Sequence, residues 1–200
     1  MNLNGLMLLK DHGVTIMKDT LFFRSIDEIP LQIIEDYRNK STMALRGFDD
    51  RVKITDSPYG VKSPWVANFS SGELIEKFSE LNKRMGDLKI PSENRLFLVC
   101  EGWSNEEVEF SGHAFLHDGV IDIDIIKGNK PHQRDWNPNL SLRVPVHNNR
   151  PLLSEIDMEE FSDYILDICR TILRFHDKTY LDFTKLKSQR FVYHDLSIHA

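Results

Sequence analysis

Two hundred residues, 40% of them hydrophobic and 28% charged, suffice for one well-buried core and at most two small ones, and exclude a disordered or fibrous chain. The net charge of −6 argues against a duplex nucleic-acid binder, which gains affinity through a basic face that releases counterions. Cys100, in the apolar run LFLVC, and Cys169, on the apolar stripe of a predicted helix, read as buried thiols rather than as a disulfide or metal ligands.

The first 18 residues place Lys10, Asp11, His12 and Lys18 among their apolar neighbours and lack the uninterrupted core of a signal peptide. No stretch reaches the ~18 apolar residues of a bilayer span. The expectation is a cytoplasmic protein with no membrane contact. With no repeat and no long linker, residues 1–200 are expected to form a single domain. Within it, 1–40 would be a short N-terminal strand and helix unit and 41–200 the main body.

In chain order, residues 6–9 and 20–24 suggest two short strands around a turn at His12-Gly13. From Ser25 the pattern becomes helical, with Ile26, Ile29, Ile33, Ile34 and Tyr37 on one face and Ser25 and Glu28 at capping-box spacing. TMALRGF reads as a strand leading into a polar loop over 49–64, a length that favours a functional role. A second helix starts near Ser70, capped by Ser70 with Glu73, and buries Leu74, Ile75, Phe78, Leu81 and Met85. RLFLVCE is apolar enough for the middle of a sheet.

Asp118-Gly119 between two alternating runs marks a hairpin over 109–127, because a type I′ turn needs positive φ at both positions. That two-residue loop pairs His117 with Val120, Phe115 with Asp122 and His113 with Asp124. Gly112, Ala114, Leu116, Ile121, Ile123 and Ile125 then form the core face. Ser111, His113, Phe115, His117, Asp122 and Asp124 form a polar face, open to solvent or a ligand. SLRVPV reads as an edge strand, since Pro145 cannot donate to a ladder. The longest helix is expected over 158–175, with Asp157 and Glu160 as its capping box and Met158, Phe161, Ile165, Ile168, Ile172 and Phe175 buried. Two strands, TYLDFT and RFVYHDLSI, close the chain around Lys187-Ser188-Gln189.

Three constellations stand out. With an even loop centred between Ser188 and Gln189, Asp182 faces Asp195 across the final hairpin, with Cβ atoms ~5 Å apart and mutually repelling unless a hard cation such as Mg²⁺ is shared. An odd loop shifts the register and leaves both solvated, and both readings stay open. His113, His117, Asp122 and Asp124 suit either a metal-dependent hydrolase site or a solvated face with a His113–Asp124 pair. Arg46 and Arg51 bracket Gly47, as an anion site or as solvated loop charges.

Taken in order, MALRGF, NFSSGELIEKF, LFLVCEGW, EFSGHAFLHDGVIDIDI and TYLDFTKLKSQRFVYHDLSI resemble the ATP-binding half of an ATP-grasp protein. The flavour is that of the small cell-division-cycle type, over about residues 40–198. The resemblance implies an α+β fold, mostly antiparallel sheet with helices packed on it, binding ATP and Mg²⁺. It places Asp182 and Asp195 at the metal, Glu101 to Trp103 at the adenine hinge, Arg46 at phosphate and Arg143 as a catalytic, substrate-side arginine. His113 and Asp124 fall on the hairpin that lines the nucleotide side. It implies an ATP-dependent carboxylate ligase acting on a small-molecule carboxylate. Ser111 and Ser197 stand where relatives show arginine and asparagine, so the alternative is a non-catalytic interaction or scaffold protein, in the simplest case a homodimer. Trp65, Trp103 and Trp136 would suit its partner surfaces.

Overall fold

The structure is a computed structural model, and it describes residues 3–38, 42–53, 63–128, 138–152, 162–175, 178–188 and 190–198. The predicted features at Met158, Phe161, Asp157, Glu160 and Trp136, most of the loop 49–64, and the side chain of Tyr37 lie outside the described residues.

Two antiparallel sheets dominate. The smaller has the order β1-β4-β2-β3, from β1 (Leu21–Phe23), β2 (Met43–Asp49), β3 (Trp65–Phe69) and β4 (Arg95–Glu101). RLFLVCE is internal, as its unbroken apolar run requires. On its outer face lie α2 (Leu31–Arg38) and α3 (Leu74–Asp87), which bury Leu74, Leu81 and Met85 against Met43, Leu45, Phe97 and Val99. Gly47 lets α3 come close, since a Cβ there would meet Met85 Sδ at 2.6 Å.

The larger sheet has the order β10-β9-β5-β6-β7-β8. Its strands are β5 (Val108–His117), β6 (Val120–Lys127), β7 (Leu140–His147), β8 (Arg150–Pro151), β9 (Thr179–Leu186) and β10 (Phe191–Ile198). The predicted hairpin register holds at all three positions, with φ of 48° at Asp118 and 74° at Gly119 in the turn. Ala114, Leu116, Ile121, Ile123 and Ile125 are buried with Ile165, Ile168 and Ile172 of α4 (Ser162–Ile172) in the main core. Both cysteines are free and buried, and burial pushes each thiol up to about 12.

Several expectations change. Residues 6–9 are not a strand but part of α1 (Leu3–Asp11), whose Leu6 and Leu9 enter the core while its backbone covers the outer edge of β10. The helix from Ser25 is broken: its capping box closes a single 3₁₀ turn at Ile26–Glu28, and α2 begins after Pro30, which has no N–H to continue the ladder. Beyond the expected loop, where no strand was expected, Trp65–Phe69 form an extra strand, β3, which had no alternation to announce it. β7 is not the sheet's last strand, because β8 folds back on it and Leu152 N–H donates to the Pro145 carbonyl at 2.9 Å. Trp103 packs against the main core instead of standing free, whereas Trp65 is exposed.

Ile75, expected in the buried stripe of α3, is 70% exposed, because Leu74, Leu81 and Met85 set the buried face and position 75 lies about 90° around the helix from its centre. Replacing Ile75 with Lys should therefore move stability by less than about 0.5 kcal/mol in urea unfolding. Leu81→Ala, which empties a fully buried site on the same helix, should cost about 2–5 kcal/mol.

Candidate functional site

The inner face of the small sheet meets the polar face of the large one. Strand alternation aims Ala44, Arg46 and Phe48 of β2, with Leu98 and Cys100 of β4, away from α3 and toward the large sheet, where Phe48, Leu98 and Cys100 join its core. Arg46 is thereby held close to Asp195 and Asp182. Burial lowers its guanidinium from the ordinary value, and the charges of Asp195, Cys100 and Asp182 pull it back. Its Nε donates to Ser63 Oγ at 2.8 Å, and Ser63 Oγ donates to the Gly47 carbonyl at 2.8 Å.

Across the large sheet the registers line up one row through five strands: Asp195 opposite Asp182, Asp182 opposite His113, His113 opposite Asp124, and Asp124 opposite Ser141. A second row runs from Ser197 through Tyr180, Phe115 and Asp122 to Arg143. The facing of the two aspartates has a different origin from the one expected. Leu186 N–H donates to the Arg190 carbonyl, so the paired positions are separated by an odd number of residues, the case that should have separated the acids. A β-bulge at His194 inserts one residue on β10 and restores the match. Thr184 Oγ1 lies 3.1 Å from His194 Nε2 across that bulge.

Asp182 and Asp195 are each 4% exposed. Burial, and then the charge of Asp195, push the Asp182 carboxyl up to about 7. Ser197, two residues beyond Asp195 on the same face, is 1% exposed, and its hydroxyl has no hydrogen-bond partner among the described residues. A buried hydroxyl without a partner is costly, and a ligand oxygen would satisfy it.

Farther along the sheet, each histidine is tied to an aspartate and stacked on a ring. His113 Nε2 lies 3.2 Å from Asp124, which accepts from Ser141 Oγ at 2.6 Å, and the ring stacks on Tyr180 with 5.3 Å between centroids. His117 Nε2 lies 2.7 Å from Asp122, and its ring stacks on Phe115. Burial lowers His113 while Asp124 raises it. Its hydrogen bond to Asp122 raises His117.

Arg143 spends its fork on Asp122, with Nε and Nη2 at 2.8 and 3.0 Å, and holds that carboxyl down at about 2. It is therefore not brought to the aspartate pair. Arg51 is bound to Asp49 at 2.6 Å and does not converge with Arg46. Among the described residues no group of three or more His, Cys, Asp or Glu side chains could hold a metal ion. Glu101, at the end of β4, pairs instead with Arg190 at the start of β10, 2.6 Å apart. Sequence reasoning missed Arg190, Ser63 and Tyr180; none carries a local pattern, and only the packing of the sheets brings them in.

No protein-family model matches this sequence, and no curated protein sequence matches it. Solved structures do. D-alanyl-alanine synthetase A from Vibrio cholerae O1 biovar eltor aligns with a TM-score of 0.52 at 8% identity, over 98% of this chain and 55% of that one. Carboxyaminoimidazole ribonucleotide synthase from Aspergillus clavatus, complexed with ATP, aligns with a TM-score of 0.51 at 10% identity, over 98% of this chain and 44% of that one. The chain thus spans about half the length of these neighbours. No described helix is long and apolar enough to cross a membrane. The α+β arrangement and these neighbours give one conclusion: this chain has the ATP-grasp-like fold.

Proposed function

We propose that the chain binds ATP with Mg²⁺ between its two sheets and activates a small-molecule carboxylate as an ATP-dependent ligase. One observation carries this reading: two buried aspartates directly opposed beside Arg46, a pairing that repels itself until a cation is shared. The donor set fits the metal. Asp182 and Asp195 offer hard oxygen ligands that would hold the ion, and Ser197 Oγ a further polar atom beside them. When bound, Mg²⁺ would neutralise charge on the phosphates.

The chain's own residues then hold and orient. Arg46 would meet a phosphate oxygen from the small-sheet side, and Glu101 with Trp103 would border the nucleoside end. His113 and Asp124 would line the path from the metal toward the acceptor. In the reaction proposed, a carboxylate oxygen of the substrate attacks the γ-phosphorus as ADP leaves, and an amine or thiol then displaces phosphate from the acyl carbon. A second reading, nucleotide binding without turnover, is supported by Ser111, whose hydroxyl donates to the Gly128 carbonyl where the resemblance implies an arginine, and by the engaged Arg143.

Thermal unfolding with Mg-ATP tests the reading. At a hundredfold excess over Kd, a ligand bound only to the folded state adds about 2.7 kcal/mol. For a domain of this size that raises Tm by roughly 5–10 °C. No shift at millimolar Mg-ATP would overturn it; a shift without ATP consumption over a panel of carboxylates would favour the second reading.

A further inference from the structure

The negative charge of the chain is concentrated. Residues 26–36 hold four acids and no base, and residues 70–80 three acids and one base, so these two short segments account for the whole net charge of −6. They are distant in the chain and neighbours in the fold. The first runs through the 3₁₀ turn at Ile26–Glu28 into α2, the second through the turn at Ser71–Glu73 into α3, and α2 packs against that second turn. Both lie on the outer face of the small sheet, opposite the face that carries Arg46.

The same two segments expose aliphatic side chains. Leu31, the first residue of α2, is 76% exposed and Ile75, the second residue of α3, 70%, the two highest values among the exposed large hydrophobics described. Each extends the apolar cluster beneath it toward solvent: Ile34 lies one turn on from Leu31 and Phe78 one turn on from Ile75, and both are only partly buried in that cluster. All seven acids are exposed. The single base, Lys77, is committed to Glu76 at 3.4 Å and Glu80 at 3.7 Å, and Arg24, just before the first segment, is turned to Asp50 at 2.6 Å. The next bases of α3, Lys83 and Arg84, come more than two turns beyond Ile75.

We propose that this outer helical face docks a basic amphipathic segment of another protein. Leu31 and Ile75 would be buried at the centre of the contact, and the acids would hold lysines and arginines at its rim. Charge selects this occupant. A second copy docking the same face about a two-fold axis would set acids against acids. An anionic lipid surface would repel the face in the same way. A basic segment gains attraction on approach and removes two aliphatic side chains from water on arrival. Because the face lies away from Arg46 and the aspartate pair, the inference stands apart from nucleotide binding.

Fluorescence anisotropy of the full chain with three helical peptides of about 18 residues, or five turns, tests it. Each carries leucine at helical spacing, with lysine, glutamine or glutamate at all remaining positions. The lysine peptide should bind, the other two should bind at least about tenfold more weakly, and added salt should weaken it. Ile75→Lys and Leu31→Lys should each cost about tenfold or more, and Ile75→Ala, which adds no charge, at least about threefold. Glu106→Gln, on the turn before β5, adds the same unit of charge as Ile75→Lys and should leave binding unchanged. No binding of the lysine peptide overturns the proposal. So does equal weakening by Ile75→Lys and Glu106→Gln, or a glutamine peptide that binds as tightly as the lysine one. Sedimentation equilibrium that finds a dimer dispersed by Ile75→Lys would assign the face to a second copy, and vesicles of anionic lipid retained through Leu31 and Ile75 would assign it to a membrane; either result overturns the proposal.

Discussion

Asp182→Asn should make the metal-free protein more stable at pH 8 and at the same time remove its stabilisation by Mg-ATP. In the folded chain the Asp182 carboxyl is pushed up to about 7 by burial and by Asp195, whereas in the unfolded chain it titrates near 3.9. Between those values the folded state holds more protons than the unfolded one, so stability falls as pH rises through this window. The contribution is fully present below pH ~4 and is lost once the pH passes about 7. Asparagine carries no such charge, so the variant should gain a few kcal/mol at pH 8 and nothing at pH 4. Urea unfolding of both proteins at several pH values, with and without Mg-ATP, measures this. A variant less stable than the parent at pH 8, or one that keeps its Mg-ATP shift, would remove the aspartate pair from the site. A gain in stability with a loss of ligand response is the signature of a group kept for binding.

Gly5→Ala should be strongly destabilising, although alanine is the better helix former. A Cβ at Gly5 would lie 1.7 Å from the Leu196 carbonyl oxygen, a backbone atom that no rotamer change can move. Helix α1 would have to back away from β10, withdrawing Leu6 and Leu9, both fully buried. Propensity alone favours alanine by ~1 kcal/mol. The clash and the lost burial outweigh it, for a net loss of about 3 kcal/mol or more. That corresponds to a Tm lower by roughly 6–12 °C. Gly72→Ala is the control, since its Cβ would meet only Ser70 Oγ at 3.9 Å and should be near neutral. Because β10 carries Asp195 and Ser197, the Gly5 variant should also weaken Mg-ATP binding. A near-neutral Gly5→Ala would mean that α1 does not seat against the strand as described.

The contrast between the two hairpins shows how far local pattern reaches. At Asp118-Gly119 the turn residues require positive φ, two residues settle the loop length, and alternation then assigns every side chain of β5 and β6 to a face. At Lys187-Ser188-Gln189 nothing pins the loop length. The expected facing of Asp182 and Asp195 is present, but through a bulge at His194 that no sequence pattern announces. A one-residue slip flips a strand's faces, and the bulge flips part of β10 back.

Sequence by itself determined the α+β class, the hairpin register, the central place of RLFLVCE, the capping boxes at Ser25 and Ser70 and the buried cysteines. Each depends on side-chain periodicity or on backbone angles within a few residues. Tertiary structure alone decided that residues 6–9 are helical, that Arg143 is spent on Asp122, that Arg46 of the small sheet comes close to Asp182 and Asp195, and that Glu101 pairs with Arg190. These outcomes depend on which surfaces compete for burial and which charges find partners across sheets. Contacts between residues from about 20 to nearly 200 positions apart settle that competition, and no local window contains them.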